Sequence, residues 1–142
     1  MILLDSDHLT ILASPGSEVY GRLTRRMAAS SDPLITATIV SAEEQLRGWL
    51  AEINRLRTPH EQIRAYEGLR KWLVFLRPFS FIPFDERAAD EFLRLRGMKM
   101  RIGTMDLKIA SIALVHNALL LSANLRDFQQ VPGLRVENWL KE

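Results

Sequence analysis

Short apolar runs that each meet an acidic residue limit the folds open to this 142-residue chain. Met1-Ile-Leu-Leu runs straight into Asp5, and Ile35-Thr-Ala-Thr-Ile-Val-Ser-Ala leads to Glu43 and Glu44. Gly103-Thr-Met precedes Asp106, and Leu119-Leu-Leu-Ser-Ala-Asn-Leu-Arg closes on Asp127. Such brief runs suit buried strands better than helices. Strands alternating with helical patterns build a parallel sheet, and the carboxyl ends of its strands line one crevice where ligands bind. Carboxylates gathered there repel one another, and a hard divalent cation such as Mg²⁺ is the usual compensation. The pattern predicts an α/β chain with an acidic, metal-dependent site suited to phosphodiester chemistry.

Between the strands the helical spacing is readable. Ser6 or Asp7 is expected to cap a helix through Leu12, ended by the Ser14-Pro15-Gly16 turn. Glu18–Ala29 carries Val19, Leu23 and Met27 on one face and arginines on the other. After the strand at Leu34–Thr38, a helix from about Ser41, capped by that residue, runs to about Leu56 with Leu46, Trp49 or Leu50, and Ile53 inward. Glu61–Leu76 is a further helix with Ile63, Tyr66, Leu69, Trp72 and Leu73 inward, stopped by Pro78. Phe79–Phe84 reads as a short strand, and Asp85 caps a helix through Leu95. Gly97–Gly103 is a basic loop, Thr104 a cap, and Asp106–Asn117 an alanine-rich helix. Leu119–Ser122 is a third buried strand and Leu134–Val136 a fourth at the edge. Neither internal repeat nor linker interrupts the chain, so residues 1–142 are expected to form one domain.

Composition excludes several function classes. With no cysteine there is no disulfide framework, thiolate zinc site or thiol nucleophile. No stretch approaches the roughly 20 apolar residues that span a bilayer, and the N-terminus lacks a signal-peptide pattern. A cytoplasmic protein is expected, with no membrane association. No Gly-rich phosphate loop and no glycine-flanked serine elbow is present. Net charge is only +2, yet the cations cluster. Arg22, Arg25 and Arg26 form one group, and Arg94, Arg96, Lys99 and Arg101 another just before Asp106. Such clusters either meet phosphates or form solvated helix faces. His8, His60 and His116 have no metal-ligand spacing and are expected as surface or partly buried side chains.

Each acid also has a structural explanation. Asp5 and Asp106 open helices, where a carboxylate caps the chain or meets the helix dipole. Glu44 is expected in a first helical turn, with the same explanation. Asp127 follows Asn124 in a polar turn, a common setting for both residues. Their joint recurrence at strand exits and helix entries is what distinguishes them.

The order of these motifs resembles the PIN-domain nucleases, and among them the VapC-type toxins of toxin–antitoxin pairs. The opening Leu-Asp-Thr/Ser-Asn/Asp is matched by Leu4-Asp5-Ser6-Asp7, with Asp7 where asparagine is frequent. The Ser/Thr-rich stretch closing on Glu-x-x-x-Gly is matched by Thr36 to Gly48, and Gly48 selects Glu44 over Glu43. Ile-Gly-x-x-Asp-x-x-Ile-Ala is matched by Ile102 to Ala110, and the C-terminal Leu-Leu-x-Ser/Thr-x-Asn-x-Arg-Asp/Glu-Phe block, ending in a tryptophan, by Leu120 to Trp139. The resemblance spans nearly the whole chain. It implies a three-layer α/β/α fold around a mostly parallel central sheet, and an endoribonuclease that hydrolyses RNA with metal-activated water. Asp5, Glu44 and Asp106 would then hold one or two Mg²⁺ or Mn²⁺ ions as catalytic groups. Asp127 joins them, with the fourth polar position shared between Asn124 and Asp127. Ser6 and Asn124 would support a ligand or a water, and Lys99 and Arg101 would steer the RNA backbone. The implied partners are RNA, a small antitoxin protein and a second copy of the chain. Leu9, Leu12, Val19 and Leu23 would form a docking surface or else pack the core.

Other families share parts of this pattern. A PIN nuclease in housekeeping RNA processing would carry the same acids. A haloacid-dehalogenase-like phosphatase begins with a similar Asp-x-Asp, but its downstream lysine and paired aspartates are missing. A response-regulator-like binding module requires an acidic pair before the strand that ends on the first aspartate and a late lysine after a strand, for which Lys108 is misplaced. A non-catalytic PIN scaffold would have little need for intact acids.

Overall fold

A computed structural model describes residues 1–142. Four three-residue strands form one parallel sheet: β1 (Ile2–Leu4), β2 (Ile35–Ala37), β3 (Leu119–Leu121) and β4 (Arg135–Glu137), in the order β2-β1-β3-β4. Seven helices connect them: α1 (Ser6–Leu12), α2 (Glu18–Ala29), α3 (Ile39–Arg55), α4 (Pro59–Phe75), α5 (Glu86–Arg96), α6 (Thr104–Val115) and α7 (Leu125–Phe128). The chain leaves β1 toward β2 on one side and returns to β3 on the other. That reversal is a topological switch point, which opens a crevice beyond the carboxyl end of β1.

Alternation along β1 explains the layers. Leu3 faces a core built with Leu95, Ile109, Ile112, Leu120 and Phe128, beneath α5 and α6. Ile2 and Leu4 face the opposite core, with Leu9, Leu23, Leu121 and Trp139, beneath α1 and α2. Successive strand residues point to opposite faces, so a strand apolar at every position must be covered on both. This is the three-layer α/β/α arrangement. Leu9 and Leu23 are fully buried and pack the core rather than a docking surface.

Several boundaries differ from the sequence reading, each for a local reason. The α1 cap is Asp5 itself, whose side chain accepts from the Ser6 N–H, and not Ser6 or Asp7. Thr38, not Ser41, caps α3: its Oγ1 accepts from the Ser41 N–H, so the helix starts two residues early. Gly103 precedes α6 with no side-chain cap, and Thr104 is already helical. The Phe79–Phe84 stretch makes only one parallel bridge, Thr38 to Ile82, because Pro78 and Pro83 remove donors on either side. His8 is fully buried, not superficial. In α4 the covered face centres on Ala65 and Trp72, while Ile63, Tyr66 and Leu73 are more than half exposed.

The Thr38 cap fixes the start of the helix that carries Glu44. Thr38→Val keeps the side chain's shape but removes the acceptor, and is expected to cost about 1 kcal/mol. Urea denaturation of the two proteins measures it.

Candidate metal centre

Asp5 leaves the end of β1 and is 4% exposed. Its Oδ1 accepts from the Ser6 N–H at 2.8 Å, and its Oδ2 accepts from the Ser122 hydroxyl at 2.7 Å. Burial pushes this carboxyl up to about 7; the negative charges of Asp7 and Asp106 add to the shift, and the two hydrogen bonds oppose it. Asp106, in the first turn of α6, is also raised. Burial is the largest cause, followed by the charge of Glu44, with Asp127 and Asp7 contributing. Asp5 feels the charges of Asp7 and Asp106, and Asp106 those of Glu44, Asp127 and Asp7, so these distant acids lie near one another at one end of the sheet.

Glu44 is not in the first turn of its helix, because the Thr38 cap moves that turn back to Ile39–Ser41. Helix-dipole stabilisation, which fades beyond the first turn, therefore does not account for it. Its Oε1 accepts from the Ser6 hydroxyl at 2.5 Å, which ties α3 to the first residue of α1. Glu43 instead pairs with exposed Arg47 at 2.7 Å, one helical turn on. Gln45 reinforces the same junction: its Nε2 donates to the Ser6 carbonyl at 3.1 Å, and its Oε1 accepts from Trp72 Nε1 at 2.6 Å.

The turn after β3 supplies the remaining polar atoms. Asn124 Nδ2 donates to Asp106 Oδ2 at 3.0 Å and to Asp127 Oδ2 at 3.1 Å, so one amide bridges two carboxylates. Both candidates for the fourth polar position thus adjoin Asp106. Gln130 joins the basic loop to this turn, with its amide donating to the Arg101 and Asp127 carbonyls and accepting from the Arg101 N–H. The side chains of Lys99 and Arg101 make no ion pair with the acids.

The residues present fit a hard divalent cation. They offer carboxylate oxygens, hydroxyls and an amide, the donor chemistry such ions take. Two carboxyls are raised, chiefly by burial and further by neighbouring negative charge, a penalty that a cation would relieve. The Asn124 amide lies between Asp106 and Asp127 with its positive end toward both, occupying a cation's electrostatic role. No three acidic or histidine side chains are gathered closely enough to hold an ion as they stand.

Sequence reasoning passed over two contributors. Ser122, expected only as the last residue of a strand, has a hydroxyl that donates to Asp5 and accepts from the Asn124 N–H at 3.0 Å. Its place directly after an apolar strand, like that of Asp5, was the available signal. Asp7 tethers the turn after β3 through the Ala123 N–H at 2.9 Å, and nothing in its local sequence indicates that contact.

The PIN domain sequence profile matches residues 17–134. This chain belongs to the PIN domain family. The matched range contains Glu44, Asp106 and Asp127, and Asp5 precedes it. Among relatives, the ribonuclease VapC2 of Rickettsia felis is 35% identical over 72 residues, covering 48% of this chain and 54% of that protein. The alignment thus spans about half of that relative's length. The tRNA(fMet)-specific endonuclease VapC of Salmonella typhimurium is 28% identical over 126 residues, covering 86% of this chain and 82% of that protein. The PIN fold extends through the termini: the structure of VapBC2 from Rickettsia felis bound to a promoter DNA fragment superposes with a TM-score of 0.75. That similarity, at 23% identity, covers 98% of this chain and 99% of the other.

Proposed function

We propose that this PIN domain is a divalent-metal-dependent endoribonuclease and the toxin of a VapBC-type pair. The convergence of Asp5, Glu44, Asp106 and Asp127 beyond the sheet's carboxyl end carries this reading. The ribonuclease and endonuclease names of its relatives support the reaction class. Asp5, Glu44 and Asp106 hold one or two Mg²⁺ or Mn²⁺ ions, with Asp127 or Asn124 completing the set. When bound, such an ion acidifies water and stabilises the attacking and leaving oxygens of an in-line displacement at phosphorus.

The chain's own groups do the rest. Ser6 fixes the Glu44 carboxylate, which orients the attacking water and accepts its proton. Ser122 holds Asp5 in one rotamer, and Asn124 keeps Asp106 and Asp127 facing each other. Lys99 and Arg101, on the loop that Gln130 fastens beside Asp127, meet the RNA backbone. The antitoxin reading draws on the toxin–antitoxin assembly in which the Rickettsia felis structure was solved. Exposed Leu46, Leu50, Ile63 and Leu73 on α3 and α4 are apolar surface available to such a partner.

The defining experiment incubates a mixed RNA pool with the protein in Mg²⁺ and in EDTA. Cleavage only with Mg²⁺ is expected; equal cleavage in EDTA would remove the metal from the mechanism. Lys99→Gln and Arg101→Gln each delete one phosphate contact. Each is expected to lower the slope of log affinity against log salt by about one, with little change in sequence preference. Filter binding across a salt series, using a cleavage-deficient background, measures it. An unchanged slope would return both residues to the solvent.

A further inference from the structure

Asp7 and His8 lie beside the proposed site, and the mechanism above uses neither. His8 is completely buried, and both of its ring nitrogens are engaged. Nε2 accepts from the Trp139 backbone N–H at 3.2 Å, which requires a lone pair on that nitrogen. The ring proton therefore sits on Nδ1, 2.5 Å from Asp7 Oδ1, and is donated to it. The other Asp7 oxygen accepts from the Ala123 N–H at 2.9 Å and stands 3.4 Å from the Ser122 hydroxyl. Both oxygens of Asp7 thus face protein donors, so its carboxylate behaves as a brace.

What it braces is the Ser122-Ala123-Asn124 turn. That turn alone supplies the hydroxyl that holds Asp5 and the amide that bridges Asp106 and Asp127. A displacement of this three-residue segment would move the donors to three of the four proposed acids together. The brace continues through His8 to the C-terminal segment at Trp139, whose side chain is in the core.

We infer that His8 and Asp7 are positioning residues for the metal centre. His8 holds Asp7, Asp7 holds the turn after β3, and the turn presets Asp5, Asp106 and Asp127 for the ion. The inference rests on the metal-dependent nuclease reading and adds to it a buried histidine that touches neither substrate nor metal. Partners bonded directly to metal ligands typically govern metal affinity by about 10–100-fold, and the brace acts through such a partner, Ser122.

Two substitutions divide the two halves of the imidazole. In His8→Asn the amide nitrogen takes the place of Nδ1, so the bond to Asp7 is kept and that to Trp139 is lost. In His8→Gln the longer side chain reaches the Nε2 position, so the Trp139 bond is kept and the Asp7 bond is lost. Mn²⁺ affinity is read by calorimetry, and RNA cleavage by kcat and KM across a Mn²⁺ series. His8→Gln is expected to weaken Mn²⁺ binding at least about tenfold, with RNA KM unchanged and kcat recovering at high Mn²⁺. His8→Asn is expected to restore Mn²⁺ affinity to within about threefold of the parent protein, a small part of that range. Equal losses in both variants, tracking their thermal stability, would reduce His8 to a packing residue; so would parental Mn²⁺ affinity in His8→Gln. A parent protein that neither binds Mn²⁺ nor cleaves RNA would instead overturn the metal-dependent reading itself, and the brace with it. Independently of folding in the variants, ¹⁵N spectra of the parent protein report the His8 tautomer. A proton on Nδ1 is expected, and a proton on Nε2 would break the proposed chain at its first bond.

Discussion

Asp5→Asn and Asp106→Asn are each expected to abolish RNA cleavage while leaving the fold intact. Either change removes a charged oxygen donor from the proposed metal set. The loss should exceed the roughly 100-fold that follows from removing an outer partner of a metal ligand. The fold survives because asparagine reproduces most local contacts. At position 5 its carbonyl oxygen still accepts from the Ser6 N–H, and its amide can donate to the Ser122 oxygen. The Ser122 proton is then free to turn toward Asp7, 3.4 Å away. Circular dichroism should therefore match the parent protein, while cleavage of an RNA pool in Mg²⁺ falls to the level seen in EDTA. Full Mg²⁺-dependent activity in either variant would refute the site.

The acids could be found in the sequence because strands buried on both faces read as continuous apolar runs, and their ends are conspicuous. Met1–Leu4 and Leu119–Leu121 mark the two central strands, and Asp5 and Ser122 follow them immediately. The Asp85 cap and the full extent of Glu18–Ala29 were likewise legible, since capping and amphipathic spacing are local properties. Other features depend on contacts made across the fold. The apolar residues of α4 allow more than one buried stripe. Packing against α3 covers Ala65 and Trp72, leaving Ile63 and Leu73 exposed, a choice no helical period specifies. The same holds for His8. Its neighbours at Asp7 and Trp139 are 1 and 131 residues away, and only the second explains why an imidazole is buried. The four-residue α7, which follows Asn124 and ends in the core residue Phe128, is too short to announce itself by periodicity.

Without metal, the chain is expected to lose stability as pH rises from about 4 toward about 7, and Asp5→Asn is expected to cancel much of that loss. Asp5 titrates near its ordinary value of 3.8 when unfolded, but its proton is held up to about 7 in the folded chain. Between these values the folded state binds the additional proton, so raising the pH favours unfolding. Below the lower value the carboxyl is neutral in both states and no penalty exists. Above about 7 it is charged in both, and the full cost of burying that charge is present. A displacement of this size corresponds to a cost on the order of 4 kcal/mol. Asp106 is displaced in the same direction and adds to the trend. In EDTA, the melting temperature of Asp5→Asn should therefore exceed that of the parent increasingly from pH 5 to pH 8. For a chain of this length the excess at pH 8 should reach several degrees. Mg²⁺ should reverse the order at pH 8, because only the parent offers the ion a charged oxygen at position 5, and binding to the folded state alone raises its stability. A parent protein that gains on the variant between pH 5 and 8 in EDTA would show that this carboxylate is adequately solvated or paired without a cation. The electrostatic case for a metal at the end of β1 would then be lost.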